Sequence, residues 1–260
     1  MIHMSWFLPT FHEQEYKTEN LRLQKKGLAR WWEVISHNYG VLFIANLALV
    51  GCSIPAALCF FLLSWFKMLI FWPLGMLCLT ILGPAWAAVN LIVMQTIREV
   101  SIFPWYTFKK AYMENFRQGV FAIEIIGFLW SMIIATFYMF VNYQAKSNVL
   151  FLLCMIISSF LLSSMSPYLF MQIVLLDQPF RTQIRNSMLL IFVCGWRSLA
   201  IGLLQLIIII AAIIYADIVI WILILGAPVI ICITTNLFLW PKFKEIFIDR
   251  TEREEDYLAK

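Results

Sequence analysis

Residues 68–97 read MLIFWPLGMLCLTILGPAWAAVNLIVMQTI, about 30 residues without a charged side chain. A helix rises about 1.5 Å per residue and the hydrocarbon layer is about 30 Å thick, so this run is long enough to cross a bilayer. The sequence predicts about six transmembrane helices from its six apolar blocks, which are Tyr39–Phe66, Met68–Ile97, Val120–Val141, Val149–Leu176, about Leu189–Ala216 and Ile218–Trp240.

Overall composition supports the same fold class, an all-α polytopic membrane bundle. The chain is 62% hydrophobic and 13% charged, with a mean hydropathy of +0.84, whereas soluble domains have about 45–50% apolar and about 25% charged residues. We expect a cytoplasmic or interfacial segment over 1–38, a single transmembrane domain over 39–240 and a charged cytoplasmic tail over 241–260. No signal peptide is expected, because the first 38 residues hold no continuous apolar stretch.

The distribution of basic residues predicts the orientation in the membrane. Of the 19 lysine and arginine residues, all but Lys67 and Lys146 lie in one of four regions. These are the segment before the first block, the connection between the second and third blocks, the connection between the fourth and fifth blocks, and the tail. Positive residues favour the cytoplasmic side. We therefore expect both chain ends in the cytoplasm and, because the outer connections are very short, no external domain. Bacterial plasma membrane is the expected location.

The fifth block is the least regular, because Arg197 interrupts it. We interpret Leu189–Trp196 as an approach along the interface and expect the span itself to start near Ser198. Arg197 would then extend to the inner headgroups.

The inner connections look helical and amphipathic. Between Arg98 and Gln118, aromatic residues recur at helical spacing, with Lys109, Lys110, Glu114 and Arg117 on the other face. A similar pattern precedes the first block, with Leu28, Trp31, Trp32 and Ile35. These helices either anchor the protein in the lipid interface or form a surface that binds another subunit. The aromatic residues of the first pattern are Trp105, Phe108, Tyr112 and Phe116.

Several elements of the chain resemble the YesL-like family of bacterial membrane proteins. They are Asn46 followed by Cys52-Ser53-Ile54-Pro55, Gly83-Pro84-Ala85 followed by Ala87-Ala88, the stretch Phe108 to Gln118, and Arg185-Asn186-Ser187. In many members the first two elements lie close together, whereas here Ala56 to Leu82 separate them. This departure leaves the pairing of the first two helices open.

The resemblance implies a role beside ABC-type importers of oligosaccharides, because the family is known mainly from gene neighbourhoods with these importers. It supplies no catalytic residues. The expected partners are the lipid bilayer, the importer permeases and their ATPase. Candidate partner contacts are Trp105, Phe108, Lys109, Tyr112, Asn115, Phe116, Arg185 and Asn186.

Polar residues within the blocks are the candidates for an intramembrane site. Glu124 is the strongest, and we expect it to pair with Lys109, Arg117 or Arg98, directly or through water, to extend to the inner interface, to contact a partner subunit, or to handle a proton or substrate. Amides inside spans commonly hold helices together, but convergence in one pocket would indicate a transporter. The amides in question are Asn46, Asn90, Gln205 and Asn236.

Motifs for enzymatic chemistry are not found. The sequence contains no HExxH, GxSxG, P-loop or GxGxxG element, and the six cysteines stand singly within apolar stretches. We expect no enzyme activity, no cofactor, no metal site and no nucleic acid partner. The leading hypothesis is a non-catalytic accessory subunit of an ABC-type carbohydrate importer. The alternatives are a small transporter or membrane-embedded substrate-binding component, which would bind a small molecule, and an assembly factor for transporter subunits. A carbohydrate is a possible ligand.

Overall fold

The structure is a computed structural model that describes residues 27–66, 68, 70–100, 102–142, 149–214 and 225–247. These residues form eight α-helices. In chain order they are α1 (Leu28–Phe66), α2 (Phe71–Ile97), α3 (Pro104–Glu114), α4 (Phe116–Asn142), α5 (Val149–Leu175), α6 (Phe180–Val193), α7 (Trp196–Ile214) and α8 (Ala227–Phe247).

Several of these helices are long and apolar enough to cross a membrane, so the chain has the character of a helical membrane protein. Four qualify by themselves, and α6 and α7 together would be a fifth span, although they are bent by 106° at the break between them. The sixth predicted block begins within residues 215–224, which lie outside the described residues, so six spans and their orientation stay predictions. The four spans are Leu28–Leu63, Phe71–Ile97, Phe116–Phe137 and Leu152–Leu175.

The first helix consists of two parts. Asn38 has non-helical backbone angles (φ −117°, ψ 18°) inside α1, and its side-chain amide donates to the carbonyl of Val34. A short helix over residues 28–37 therefore precedes the first predicted span, as the pattern of Leu28, Trp31, Trp32 and Ile35 indicates.

A buried arginine attaches this short helix to the end of α2. Arg30 is only 8% exposed, and its guanidinium lies 2.7 Å from the Glu99 carboxylate and 3.3 Å from that of Glu33. It also donates to the backbone carbonyl of Ile97 at 3.0 Å. The positive charge is well placed there, since the carbonyls at a helix C-terminus carry partial negative charge. Glu99 reverses the chain with φ +59°, in the left-handed region.

Helix α2 lies at the centre of the bundle. It packs against α1, α3, α4, α5 and α8, and its second half is almost entirely buried. Small residues permit this, because Ala85, Ala87 and Ala88 are all fully buried and let neighbouring backbones approach. The pairing of α1 with α2, which the sequence left open, is an extensive contact between consecutive helices.

A close approach of two backbones joins α2 to α4 through two glycines. A Cβ built on Gly83 would overlap the backbone of Gly119, and a Cβ on Gly119 would lie 2.8 Å from the Cα atom of Pro84. Both glycines are buried. The two backbones can therefore meet only because neither residue has a side chain.

The fifth apolar block is broken close to Arg197, between two helices. Helix α6 ends at Val193, Cys194 and Gly195 form a turn, and α7 starts at Trp196. Gly195 has φ +47°, a conformation that glycine adopts at little cost. Further along α7, Gly202 packs against Ser164 and Phe160 of α5.

Pro228 belongs to the first turn of α8, so it does not kink the apolar block in which it lies. It is the second residue of the helix and stands two positions after Gly226 (φ +122°). A missing N–H costs little there, because first-turn N–H groups have no partner within the helix. Pro241 is the proline inside α8.

The glycine contact yields a direct test of the fold. We expect Gly119→Ala to lower the free energy of unfolding by about 1–3 kcal/mol, the usual cost of overpacking a tight contact. Gly51 is the matched control, because it lies on an exposed part of α1 with open space around its Cα atom, so Gly51→Ala should be neutral or stabilising by up to about 1 kcal/mol. Thermal unfolding in detergent measures both. Equal effects would contradict the α2–α4 contact.

Two cysteines test the pairing of α1 with α2. The Sγ atoms of Cys59 and Cys78 lie 3.8 Å apart, whereas Cys154 is exposed and distant in sequence. We expect copper phenanthroline to oxidise the two thiols to an intramolecular disulfide, with loss of two hydrogen atoms. Mass spectrometry of the digested protein should find the linked peptides, and Cys59→Ser should abolish them. Linkage of either residue to Cys154 instead would refute the pairing.

Candidate functional site

The predicted aromatic stripe forms a continuous ladder along α3 and into α4. Ring centroids are 6.4 Å apart between Trp105 and Phe108, 6.1 Å between Phe108 and Tyr112, and 5.9 Å between Tyr112 and Phe116. The ladder does not lie on one accessible face, since Phe108 is only 7% exposed and Trp105 is 66% exposed. Phe108 and Ala111 are the buried residues that fix α3 against the bundle.

The side of α3 that faces away from the buried Ala111 carries exposed aromatic and basic residues and continues to Phe116, the first residue of α4. We call it the α3 surface, and it comprises Trp105, Tyr106, Lys109, Met113 and Phe116, all exposed. Its polar neighbours Lys110 and Glu114 lie 3.9 Å apart and are both exposed, so their ion pair contributes little. Of the partner-contact candidates on α3 and at the start of α4, Trp105, Lys109 and Phe116 are accessible, whereas Phe108 is buried against the bundle.

Tyr112 and Asn115 have structural contacts of their own. The hydroxyl of Tyr112 donates to the carbonyl of Ile81 at 3.5 Å, and Asn115 donates to the carbonyl of Ala111 at the end of α3. Burial raises the pKa of the Tyr112 phenol, and the nearby Cys52 raises it further. The phenol is therefore neutral at physiological pH and can act as the donor.

The two remaining partner candidates lie on α6. Arg185 is exposed, whereas Asn186 is half-buried and donates to the Gln178 side chain at 3.2 Å. Nearby on α6, the side chain of Gln183 donates to the side chain of Gln118 of α4 at 3.0 Å. These contacts hold the start of α6 against α4, so Arg185 presents a cation on a fixed element.

A chain of buried polar groups continues from there between α5, α6 and α7. Gln172 donates to the Ser187 hydroxyl at 2.8 Å, and the hydroxyls of Tyr168 and Ser198 lie 2.8 Å apart. Ser164 donates to the carbonyl of Ser198 of α7 at 3.3 Å, and Ser166 donates to the Gln205 side chain of the same helix at 3.4 Å. Serines of α5 therefore join it to α7.

The amides Asn90 and Asn236 meet at the contact between α2 and α8. Asn236 donates to the Asn90 side-chain oxygen at 3.1 Å, the Cys232 thiol donates to the same oxygen at 3.3 Å, and Asn90 donates to the carbonyl of Trp86. All three side chains are buried. Asn90 and Asn236 thus serve as interhelical contacts of the kind that polar residues form in membranes.

Two further candidates are Asn46 and Glu124. Asn46 is fully buried in α1. Glu124 forms no ion pair with a described residue, and one of its carboxylate oxygens is buried without a hydrogen bond. A direct ion pair with Lys109, Arg117 or Arg98 is therefore not formed among the described residues. The Arg117 guanidinium instead lies 6.0 Å from the Phe121 ring centroid.

A partly open cavity of about 290 Å³ lies among α2, α4, α5, α7 and α8. Trp86 and Phe170 contribute aromatic rings in a T-shaped arrangement, with centroids 6.4 Å apart. Ser166 and Gln205 are the polar residues of the lining, and their Oγ and Oε1 atoms lie 3.4 Å apart. The aliphatic wall consists of Leu82, Ile123, Ile126, Ile208, Ile209 and Ile231.

Of the amides that a transporter would need in one pocket, only Gln205 lines this cavity. Asn46, Asn90 and Asn236 do not belong to its lining. Among the described residues, no group of three or more histidine, cysteine, aspartate or glutamate side chains is arranged to hold a metal ion.

Comparison with known proteins adds no assignment: no protein-family model, no curated protein and no solved structure matches the chain.

The structural contacts of several residues are not evident from the sequence. Arg30 counted only as a cytoplasmic charge, Arg197 only as an interfacial anchor, and Gln183 was not considered. In the structure Arg197 donates to the carbonyl of Phe238 at 3.4 Å and lies over its ring. A charged residue directly beside an apolar run was the available signal for Arg30 and Arg197, but it does not reveal the partner.

A double-mutant cycle tests the Asn90–Asn236 contact. We expect Asn90→Leu to destabilise the protein by about 1 kcal/mol, because it leaves the buried Asn236 amide without its acceptor. The variant with both asparagines replaced by leucine should lose less stability than the sum of the single changes, since neither polar group then remains unpaired. Unfolding in a denaturing detergent series gives the four free energies. Strict additivity would show that the two amides do not interact.

Proposed function

We propose that the protein is a non-catalytic integral membrane accessory subunit that associates with an ABC-type carbohydrate importer in the bacterial plasma membrane. The observation that carries this proposal is the use of the intramembrane amides. Asn90 and Asn236 are bonded to each other and to Cys232 across a helix contact, and they do not contribute to the cavity. Polar side chains that are already hydrogen-bonded to each other are not available to bind a solute, which favours a structural role.

The lining of the cavity also argues against a carbohydrate as its ligand. A sugar carries several hydroxyl groups, each of which requires a hydrogen-bond partner when buried. Ser166 and Gln205 provide polar atoms on one side, and the remaining walls are aliphatic or aromatic. This supports the accessory role over the alternative of a small carbohydrate transporter.

The α3 surface is the proposed contact with the importer. Interface cores are enriched in aromatic residues, methionine and arginine, and Trp105, Tyr106, Met113 and Phe116 are all exposed on this side. The helix beneath them is held by Phe108 and Ala111, so the surface is presented on a fixed element. Arg185 on α6 adds a second exposed contact.

The proposed orientation places α3 and the start of α6 on the cytoplasmic side, as the distribution of lysine and arginine indicates. Contacts there would reach the importer near its ATPase. The resemblance to the YesL-like family points to the same partner, and the short outer connections leave no external domain for capture of a solute.

Co-purification from the native membrane tests this proposal. The chain carries an affinity tag at its carboxyl end and is extracted in mild detergent, with a photo-crosslinking amino acid at Trp105. We expect the importer permeases and their ATPase in stoichiometric amounts, with the permease or ATPase crosslinked at Trp105. The same amino acid at Ile157, an exposed apolar residue of α5, is the control and should crosslink only to lipid.

Other outcomes separate the alternatives. A chain that purifies without importer subunits and carries a bound sugar would replace the proposal by a transporter. Importer subunits in small, variable amounts would favour an assembly factor. Stoichiometric importer with only lipid crosslinked at Trp105 would retain the accessory role and assign the α3 surface to the bilayer.

A further inference from the structure

The cavity among α2, α4, α5, α7 and α8 has the chemistry of a site for a small lipophilic ligand. Its volume of about 290 Å³ lies near the lower end of ligand pockets, which span about 300–1,000 Å³. No ionisable side chain belongs to its lining. A charged ligand would lose its hydration without gaining a counter-ion there, so the ligand must be neutral.

The side-chain amide of Gln205 determines which hydrogen-bonding group the ligand must carry. The Ser166 hydroxyl shares its one proton between two acceptors, the Oε1 atom of Gln205 at 3.4 Å and the carbonyl of Ser163 at 3.2 Å. In this arrangement the Gln205 Nε2 group has no partner among the described residues. An amide NH₂ donates two hydrogen bonds and accepts none, so the complementary ligand carries an acceptor oxygen.

The position of Gln205 across the membrane limits which molecules could supply the acceptor oxygen. The sequence predicts that Arg197, and with it the start of α7, lies at the level of the inner headgroups. Gln205 follows Trp196 by about 14 Å along the helix at about 1.5 Å per residue, and half of the hydrocarbon layer is about 15 Å thick. On that prediction Gln205 lies near the middle of the membrane, out of reach of the ester carbonyls of phospholipids at the interface.

The aromatic part of the lining favours a flat ligand. Trp86 and Phe170 stand at 75° to each other, so they offer one ring face and one ring edge. Flat rings bind well in both arrangements, because the electron-rich face and the electron-poor edge are complementary.

We propose that this cavity binds an uncharged lipophilic carbonyl compound of the quinone type from the membrane interior, with its carbonyl oxygen accepting from Gln205 Nε2 and its ring against Trp86. The assignment does not rest on the accessory role. A protein that binds the carbonyl compound without associating with an importer would retain this site and lose the proposed function.

A matched pair of probes tests the hydrogen bond. Dimethylnaphthoquinone and dimethylnaphthalene have the same fused rings and differ in the two carbonyl groups, and the two methyl groups of the quinone block addition of thiols. Each probe is titrated into the full chain in detergent, followed by tryptophan fluorescence and by the melting temperature. We expect saturable binding, with the quinone bound about three- to tenfold more tightly, the usual effect of one neutral hydrogen bond.

Variants locate the site. Gln205→Leu should remove the preference for the quinone while binding of the hydrocarbon stays unchanged. Ile209→Phe, which fills the cavity, should weaken both probes at least about tenfold. Ile207→Phe is its control, because Ile207 is on the same helix, is 64% exposed and does not line the cavity.

Three results would overturn the proposal. Non-saturable binding that no variant changes would be partition into detergent. Equal affinity for the two probes in the unaltered chain would describe an apolar space that a lipid chain fills. Retention of the quinone preference in Gln205→Leu would remove the assigned donor, and this variant decides the matter even if Ile209→Phe does not fold.

Discussion

The close contact between α2 and α4 is the constraint on which the rest of the bundle depends. Lipid tails are as apolar as leucine, so helices in a membrane gain little from the hydrophobic effect when they pair, and close packing must stabilise them. Gly83 and Gly119 let two backbones touch, and α2 is then surrounded by five other helices. Its buried alanines, the Asn90–Asn236 pair and one wall of the cavity all follow from this central position.

Much of the helix arrangement could be predicted from the sequence, because apolar length and periodicity are local properties. The fourth block was predicted to end at Leu176 and α5 ends at Leu175. A break in the fifth block near Trp196 was also predicted, since a charged residue interrupts the apolar run there, whereas the interfacial position of the part before the break stays a prediction. The break at Asn38 and the first-turn position of Pro228 depend on backbone geometry that periodicity does not record.

The sites were predicted less completely, because their geometry depends on residues far apart in the chain. The aromatic stripe of α3 was visible in the sequence, but the packing of α3 against α2 and α1 determines that Phe108 is buried and Trp105 exposed. Asn90, Asn236 and Asn46 are all single amides within apolar blocks, so the sequence does not indicate which two of them bond to each other. Glu124 was expected to pair with a nearby base, yet Arg117 lies beside Phe121 instead.

The Arg30 contact also constrains the order in which the protein can be assembled. Its partners Ile97 and Glu99 follow it by 67 and 69 residues, so the short helix before Asn38 cannot reach its final position until both α1 and α2 have been synthesised. At about 5–20 residues per second, this interval is about 3–14 s on the ribosome. During that time Arg30 can pair with Glu33 but not with the end of α2, so the N-terminal helix is free to lie in the membrane interface. The paired α1–α2 hairpin is thus the first unit of the nascent chain that can be locked.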